Sequence, residues 1–351
     1  MIISKTPIRI SFLGGGTDYP EYFLRYPGAV LGTTINKYAY IDIKRTHEFF
    51  DYNYRISYAK TELKNSIDEI EHPSVRTCLK YMNIREHLEI LYQGDWPART
   101  GMGSSSAFTV GLLKALYSFK HKMISKEELA QNAIYIEREI IREHVGWQDQ
   151  IWASFGGMAQ IQFNRNHFEY QPITISAERK RQFRNHLLLL FTGTKRSAHE
   201  ILAEQIERTK KSCNDKILSR MRELVTVGTD ALYSGNLKEF GHILHENWKL
   251  KKSLSSKVTN PDIDEAYETA QHYGALGGKI LGAGGGGFFL IFAEPQCHEN
   301  IRMALKAMTP VNFNFEECGS SIIHYEDNEL DSHDSSSKRS RIYDNYEVLN
   351  Y

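Results

Sequence analysis

The chain has 351 residues with 43 Lys+Arg against 43 Asp+Glu, a formal net charge of zero, and 41% hydrophobic and 25% charged residues. This is ordinary globular composition, long for one compact core, so two domains are expected. The balanced charge gives no electrostatic case for nucleic acid or an anionic membrane as the main partner.

The opening "MIISKTPIRISFLGGG" is apolar but interrupted by Lys5, Pro7 and Arg9, with no small-residue cleavage site after it. It reads as a strand and not as a secretory signal. In "KYAYIDIKR" (37–45), Ala39, Ile41 and Ile43 alternate with Tyr38, Tyr40 and Asp42, a half-buried strand, and "NYRISY" (53–58) is its expected partner. Phe108, Leu112, Ala115 and Phe119 recur at helical spacing, as do Leu129, Ala133, Ile136 and Ile140. "GGMAQIQF" and "FEYQPITI" read as a strand pair, and "HLLLLFTG" (186–193) as a buried strand. Ser197 and Glu200 form a capping box for the next helix. Further helices are expected at 216–233, 237–251, 262–273 and 296–307, the third of these capped by Gly274, with strands near 311–316 and 320–325.

The longest apolar runs are too short to span a bilayer. Cys78, Cys213, Cys297 and Cys318 are scattered, without C-x-x-C or zinc-type spacing, and read as reduced thiols. A soluble, cytoplasmic protein is expected.

Four stretches carry chemistry. "GMGSSS" (101–106) opens a helix, where free N–H groups and the macrodipole attract phosphate. Glycines let the backbone approach an anion, and serine hydroxyls add donors or a metal ligand. G-K-[ST] is absent, which excludes a Walker A loop; a serine-capped helix with a flexible entry remains the alternative. "GAGGGG" (282–287) matches G-x-G-x-x-G, but a strand-like "FFLIF" follows and 304–308 read "ALKAM" without an acid. A dinucleotide site is therefore excluded, leaving a tight loop where backbone passes close to something. "RISFLGGGTDYP" (9–20) puts Arg9 on a strand before three glycines, then Thr17 and Asp18, which either hold sugar hydroxyls or make an Asx turn. In "EREIIREHVGWQDQIW" (137–152), Glu137 sits at the edge of an apolar helix stripe and Asp149 in a loop after Gly146.

Taken in their order along the chain, nearly all of which they span, the motifs resemble the GHMP kinase superfamily. "PARTGMGSSSA" (97–107) is similar to its central P-x-x-x-G-L-G-S-S-A, and "KILGAGGGGFFLIF" (279–292) to its C-terminal glycine loop. The resemblance implies an α/β (α+β) fold of two domains. These are a ribosomal-protein-S5-like, ATP-binding N-terminal domain at 1–165 and a ferredoxin-like C-terminal domain at 166–326, followed by a polar tail at 327–351.

It further implies ATP and Mg²⁺ as cofactors. Gly101, Gly103, Ser104, Ser105 and Ser106 would surround the ATP phosphates, and Ser105 with Glu137 would hold the metal, Glu139 being the alternative ligand. Asp149 and Arg9 would be catalytic. Gly15, Gly16, Thr17, Asp18, Gly284 and Gly285 would line the acceptor side. Met102 stands where the family has Leu. Ser106 replaces Ala, with no role assigned by the resemblance.

Within the superfamily "GGGTDYP" (14–20) is most similar to bacterial D-glycero-D-manno-heptose 7-phosphate kinases, which implies a small-molecule sugar phosphate as partner. Lys195 and Arg196 would meet its phosphate, or form a solvated basic loop. A fucose- or galactose-type sugar-1-kinase and a non-enzymatic ligand sensor are the alternatives. An isoprenoid or amino-acid kinase fits Thr17-Asp18 less well. The sequence leaves the oligomeric state open.

Overall fold

The computed structural model describes residues 1–96, 101–165, 167–193 and 198–326. The basic pair Lys195 and Arg196, the cap at Ser197 and the tail from residue 327 lie outside the described residues.

Strand β1 (Ile2–Leu13) and the long β2 (Gly28–Arg45) form an antiparallel pair at the centre of a nine-stranded sheet. The far edge of β2 is shared. Its second half pairs β3 (Leu88–Gly94), and its first half pairs β4 (Met158–Asn164), which turns into β5 (His167–Pro172). The expected boundary at residue 165 falls inside this last hairpin, so the first sheet continues to Pro172. From the far end of the chain, β6 (Phe315–Glu316) returns to β2 and β7 (Ser321–Tyr325) returns to β1. A four-stranded sheet holds Leu187–Phe191, Ala275–Ile280 and Phe288–Ala293, with Thr309–Pro310 at its edge.

Helix α1 (Ser104–Phe119) lies against β1. Its four expected apolar positions are buried, and so are Val110, Leu113 and Leu116 between them, since sheet and helices cover it on several sides. Gly111 permits the close approach: a Cβ there would sit 2.7 Å from Thr6 Oγ1, and the Gly111 carbonyl accepts from Ser4 Oγ at 2.8 Å. Helix α2 (Lys126–Tyr135) does not run on to residue 140 as its periodicity suggests. It passes into a π-helical turn, Ile136–Ile140. Helix α3 (Gln148–Phe155) follows a short loop, and α4 (Leu237–Lys252) spans the back of the glycine loops. Phe12 of β1 packs edge-on against Phe183 (5.3 Å) and Phe240 (5.9 Å), so the core runs unbroken from the first sheet into the C-terminal elements. Among the described residues no helix is long and apolar enough to cross a membrane.

Candidate active site

Strand β1 delivers Arg9 to the junction of the three motifs. Its Nε donates to Asp149 Oδ1 at 2.8 Å, Nη2 donates to Asp149 Oδ2 at 2.9 Å, and Nη1 donates to the Gly101 carbonyl at 2.8 Å. A two-pronged guanidinium–carboxylate pair fixes both orientation and charge. The Arg9 side chain is 7% exposed and that of Asp149 is 22% exposed, so the carboxylate forms the open face of the pair. Asp149 is not in a loop as the sequence suggested but in the first turn of α3, where the dipole favours an anion.

Gly103 caps α1 in a left-handed conformation (φ +74°), and among the described residues no side chain caps that helix. Its first N–H groups are therefore left for an anion. A Cβ on Gly103 would lie 3.2 Å from Asp149 Oδ2 and 3.4 Å from Arg9 Cγ, which places the helix start directly against the Arg9–Asp149 pair. Ser104 is half-buried and Ser105 exposed at this mouth. Ser106 departs from its expected place. It is buried and donates to Glu137 Oε2 at 2.8 Å, so this hydroxyl serves the acid and not the phosphates.

The π turn, which takes up one residue more than an α turn, brings Glu137 inside and leaves Glu139 in solvent. Glu137, and not Glu139, is thus the candidate metal ligand. Gln150 Nε2 donates to its Oε2 at 2.5 Å, while Oε1 is buried and, among the described residues, has no hydrogen-bond partner of good geometry. Burial pushes the carboxyl up to about 7, opposed in part by Thr109, Gln150 and Ser106. An orphaned carboxylate oxygen of this kind fits a cation. One carboxylate and one hydroxyl suit Mg²⁺, which keeps much of its shell as water and phosphate oxygen. Among the described residues no group of three or more His, Cys, Asp or Glu forms a self-sufficient metal cage.

A pH prediction follows. In metal-free protein, between about pH 4.5 and 7, folded Glu137 keeps a proton that the unfolded chain has lost, so stability falls as pH rises through that window. Glu137→Gln removes the dependence. Melts in chelator at pH 8 should show the variant a few degrees more stable than wild type, while its turnover drops about 100-fold. A variant less stable than wild type at pH 8 would contradict the assignment.

The first glycine loop closes over Asp18. This carboxylate is buried, accepts from Gly16 N (2.9 Å) and Gln148 Nε2 (2.9 Å), and is pushed above the ordinary carboxylate range by burial, with nearby Asp149 adding to the rise. A Cβ on Gly146 would collide with Asp18 Oδ2, which explains the glycine before "WQDQ". Thr17 corrects the sequence expectation. It is fully buried, and its hydroxyl bridges the Gly14 and Ala29 backbones (2.7–3.0 Å), pinning the loop to β2. Gly16 is buried under Gln205, whereas Gly15 is partly exposed, with Ser11 Oγ at 3.9 Å from its Cβ position and, beyond its chain neighbours, no other described atom within 4 Å. Of Gly15, Gly16, Thr17 and Asp18, Gly15 alone is partly exposed, and Asp18 remains an acceptor-side candidate through its carboxylate.

Three consecutive residues of one helical turn wire the site. Gln148 holds Asp18, Asp149 holds Arg9 and Gln150 holds Glu137. The two glutamines were not singled out from sequence; the signal available was an acid flanked by amides in "WQDQ".

The third loop meets the cradle through Gly282. A Cβ on Gly101 would sit 2.6 Å from the Leu281 carbonyl and 3.3 Å from Gly282 Cα. Gly284 instead packs against the Val258 backbone, and the buried Gly285 N–H donates to the Val258 carbonyl at 2.8 Å.

A helix start bared by glycine, set against a guanidinium–carboxylate pair with a second buried acid alongside, is built for moving a phosphoryl group onto a hydroxyl. Comparison with known proteins agrees. The GHMP kinases N terminal domain matches residues 73–157 and the GHMP kinases C terminal domain residues 229–309. A D-glycero-alpha-D-manno-heptose 7-phosphate kinase of Campylobacter jejuni is 29% identical over 318 residues, 87% of this chain and 93% of that protein. A bifunctional fucokinase/GDP-fucose pyrophosphorylase of Arabidopsis thaliana is 28% identical over 83% of this chain, which spans only 30% of that protein. The crystal structure of a D-glycero-D-manno-heptose 1-phosphate kinase from Bacteroides thetaiotaomicron superposes with a TM-score of 0.75 at 25% identity, covering 93% of this chain and all (100%) of that one. The chain carries the N- and C-terminal domains of GHMP kinases, and it is a kinase.

Proposed function

We propose that this kinase transfers the γ-phosphoryl group of ATP to the anomeric hydroxyl of D-glycero-D-manno-heptose 7-phosphate, giving the 1,7-bisphosphate for nucleotide-heptose and surface-polysaccharide synthesis. The observation that carries the reading is the Arg9–Asp149 pair, its carboxylate open at the mouth of the serine-glycine cradle, with buried Asp18 beside it. Gly101, Gly103, Ser104 and the α1 N–H groups hold the ATP phosphates. Asp149 accepts the acceptor's hydroxyl proton or orients that hydroxyl, and Arg9 neutralises charge on the transferred group. Asp18 and Gly15 meet sugar hydroxyls. Mg²⁺, held by Ser105 and Glu137, would screen the phosphate charge when bound. The relatives' names support a phosphorylated heptose acceptor while differing on which phosphate is concerned. The fucokinase likeness keeps a plain sugar-1-kinase as the second reading.

A phosphorylated acceptor requires a second anion site, and Lys195-Arg196 is the basic pair that the sequence offers for it. A charge-assisted contact contributes about 1.5–3 kcal/mol, so Arg196→Ala should raise the acceptor KM about tenfold or more and leave the KM for ATP nearly unchanged. Unphosphorylated heptose should be a poor substrate and little affected by the substitution. Measuring both acceptors with both enzymes separates the outcomes. Equal losses for the two acceptors would remove Arg196 from phosphate recognition. Equal wild-type activity on both would favour the plain sugar-1-kinase.

A further inference from the structure

Two buried lysine side chains behind the site take no part in the scheme above. Lys251, in the last turn of α4, donates to the carbonyls of Ile280 (2.9 Å) and Gly282 (2.6 Å). Lys279, on the strand Ala275–Ile280, donates to the carbonyls of Ser11 (2.9 Å) and Phe12 (3.0 Å). Their exposures are 5% and 2%. Burial lowers the proton affinity of both, Lys251 to about 7; the Lys251 charge lowers that of Lys279 further, the nearby Arg9 charge lowers both, and Asp18 opposes. Neither lysine has a carboxylate in hydrogen-bond contact among the described residues; backbone carbonyls are their partners.

Such burial is costly, and apolar side chains would fill the space at less expense. What the lysines touch is specific. Ser11 and Phe12 lie two and three residues beyond Arg9 on β1. Gly282 is the residue whose backbone closes on Gly101, and the Gly101 carbonyl anchors Arg9 Nη1. One turn before Lys251 on the same helix, Asn247 Oδ1 accepts from Gly14 N at 3.3 Å. Positions four apart share a helix face, so one face of α4 holds both the first and the third glycine loop.

We propose that Lys251 and Lys279 are positioning residues for phosphoryl transfer: they fix the glycine loop at 280–282 and the end of β1, and thereby set the Arg9 guanidinium against the phosphate cradle. Lys251 draws the turn onto α4 and presents Gly282 to Gly101. Lys279 clamps the strand immediately past Arg9. The effect falls on the geometry of transfer more than on the binding of either substrate.

The inference rests on the kinase activity alone and not on which sugar accepts the group. Lys251→Met, Lys251→Gln and Lys279→Met are compared with wild type for kcat, both KM values, cooperative melting and the stoichiometry of binding a non-hydrolysable ATP analogue. A misplacement of an ångström or less can cost up to about 100-fold, so Lys251→Met and Lys279→Met should each lower kcat about 30–100-fold. Both KM values should stay within about threefold, with full analogue stoichiometry. Lys251→Gln restores an N–H donor without the charge and should recover several-fold of the loss. Unchanged kcat, a loss that tracks missing analogue sites, or a rise in acceptor KM alone overturns the proposal. Failure of the variants to melt cooperatively makes the lysines structural anchors and overturns it too. A wild-type enzyme that phosphorylates no sugar overturns the kinase reading first, before any lysine is changed.

Discussion

Asp149→Asn should lower turnover by about 10²–10⁴ while the affinity for an ATP analogue survives. The amide keeps the shape but removes the charge, and one of the two contacts with Arg9, at 2.8 and 2.9 Å, then sets an N–H donor against a guanidinium donor. Two losses coincide: the acceptor hydroxyl lacks a carboxylate to receive or orient its proton, and Arg9 is no longer fixed in direction. The cradle itself is untouched, because α1 begins at Gly103 without help from the Asp149 side chain. Steady-state kcat with calorimetric binding of the analogue separates the two effects. Turnover within a few-fold of wild type would remove Asp149 from the chemistry.

Gly103→Val should abolish useful ATP binding, weakening it by about 100-fold or more as side-chain atoms enter the space left for phosphate. The backbone there has φ +74°, which a β-branched residue adopts only at a cost of about 1–2 kcal/mol. Its Cβ would already stand 3.2 Å from Asp149 Oδ2, so the branching methyls extend over the Arg9–Asp149 pair. Gly103→Ala, smaller but equally strained, should lose less affinity for a similar loss of stability. ATP affinity unchanged in the valine variant would contradict the phosphate role of this loop.

The parts of the site legible in the sequence are those whose residue types are unusual for their surroundings. Glycine and serine crowd a helix start at 101–106, Arg9 interrupts a buried strand, and Asp149 stands between two glutamines in "WQDQ". Partners joined over long separations were not legible. Gln148 reaches Asp18 across 130 positions, and Lys279 reaches Ser11 across 268. Nothing local distinguishes a buried Lys251 from its neighbours Lys249 and Lys252 in "WKLKK". The π turn was hidden because Ile136 and Ile140 continue the helical period, although it decides between Glu137 and Glu139. Helix Pro73–Tyr81 was missed, although Pro at its first position and the His72 cap were readable signals. The return of residues 315–325 to the first sheet depends on pairing register with β1 and β2, which periodicity alone does not specify.

The central claim is transfer of a phosphoryl group from ATP to an anomeric hydroxyl. Phosphorus NMR of wild-type enzyme with Mg-ATP and D-glycero-D-manno-heptose 7-phosphate tests it most directly. The account predicts one ADP per acceptor consumed and a new phosphomonoester resonance coupled to the anomeric proton, with the 7-phosphate signal retained. ADP formed with free phosphate alone, or a new ester on any other carbon, would contradict it.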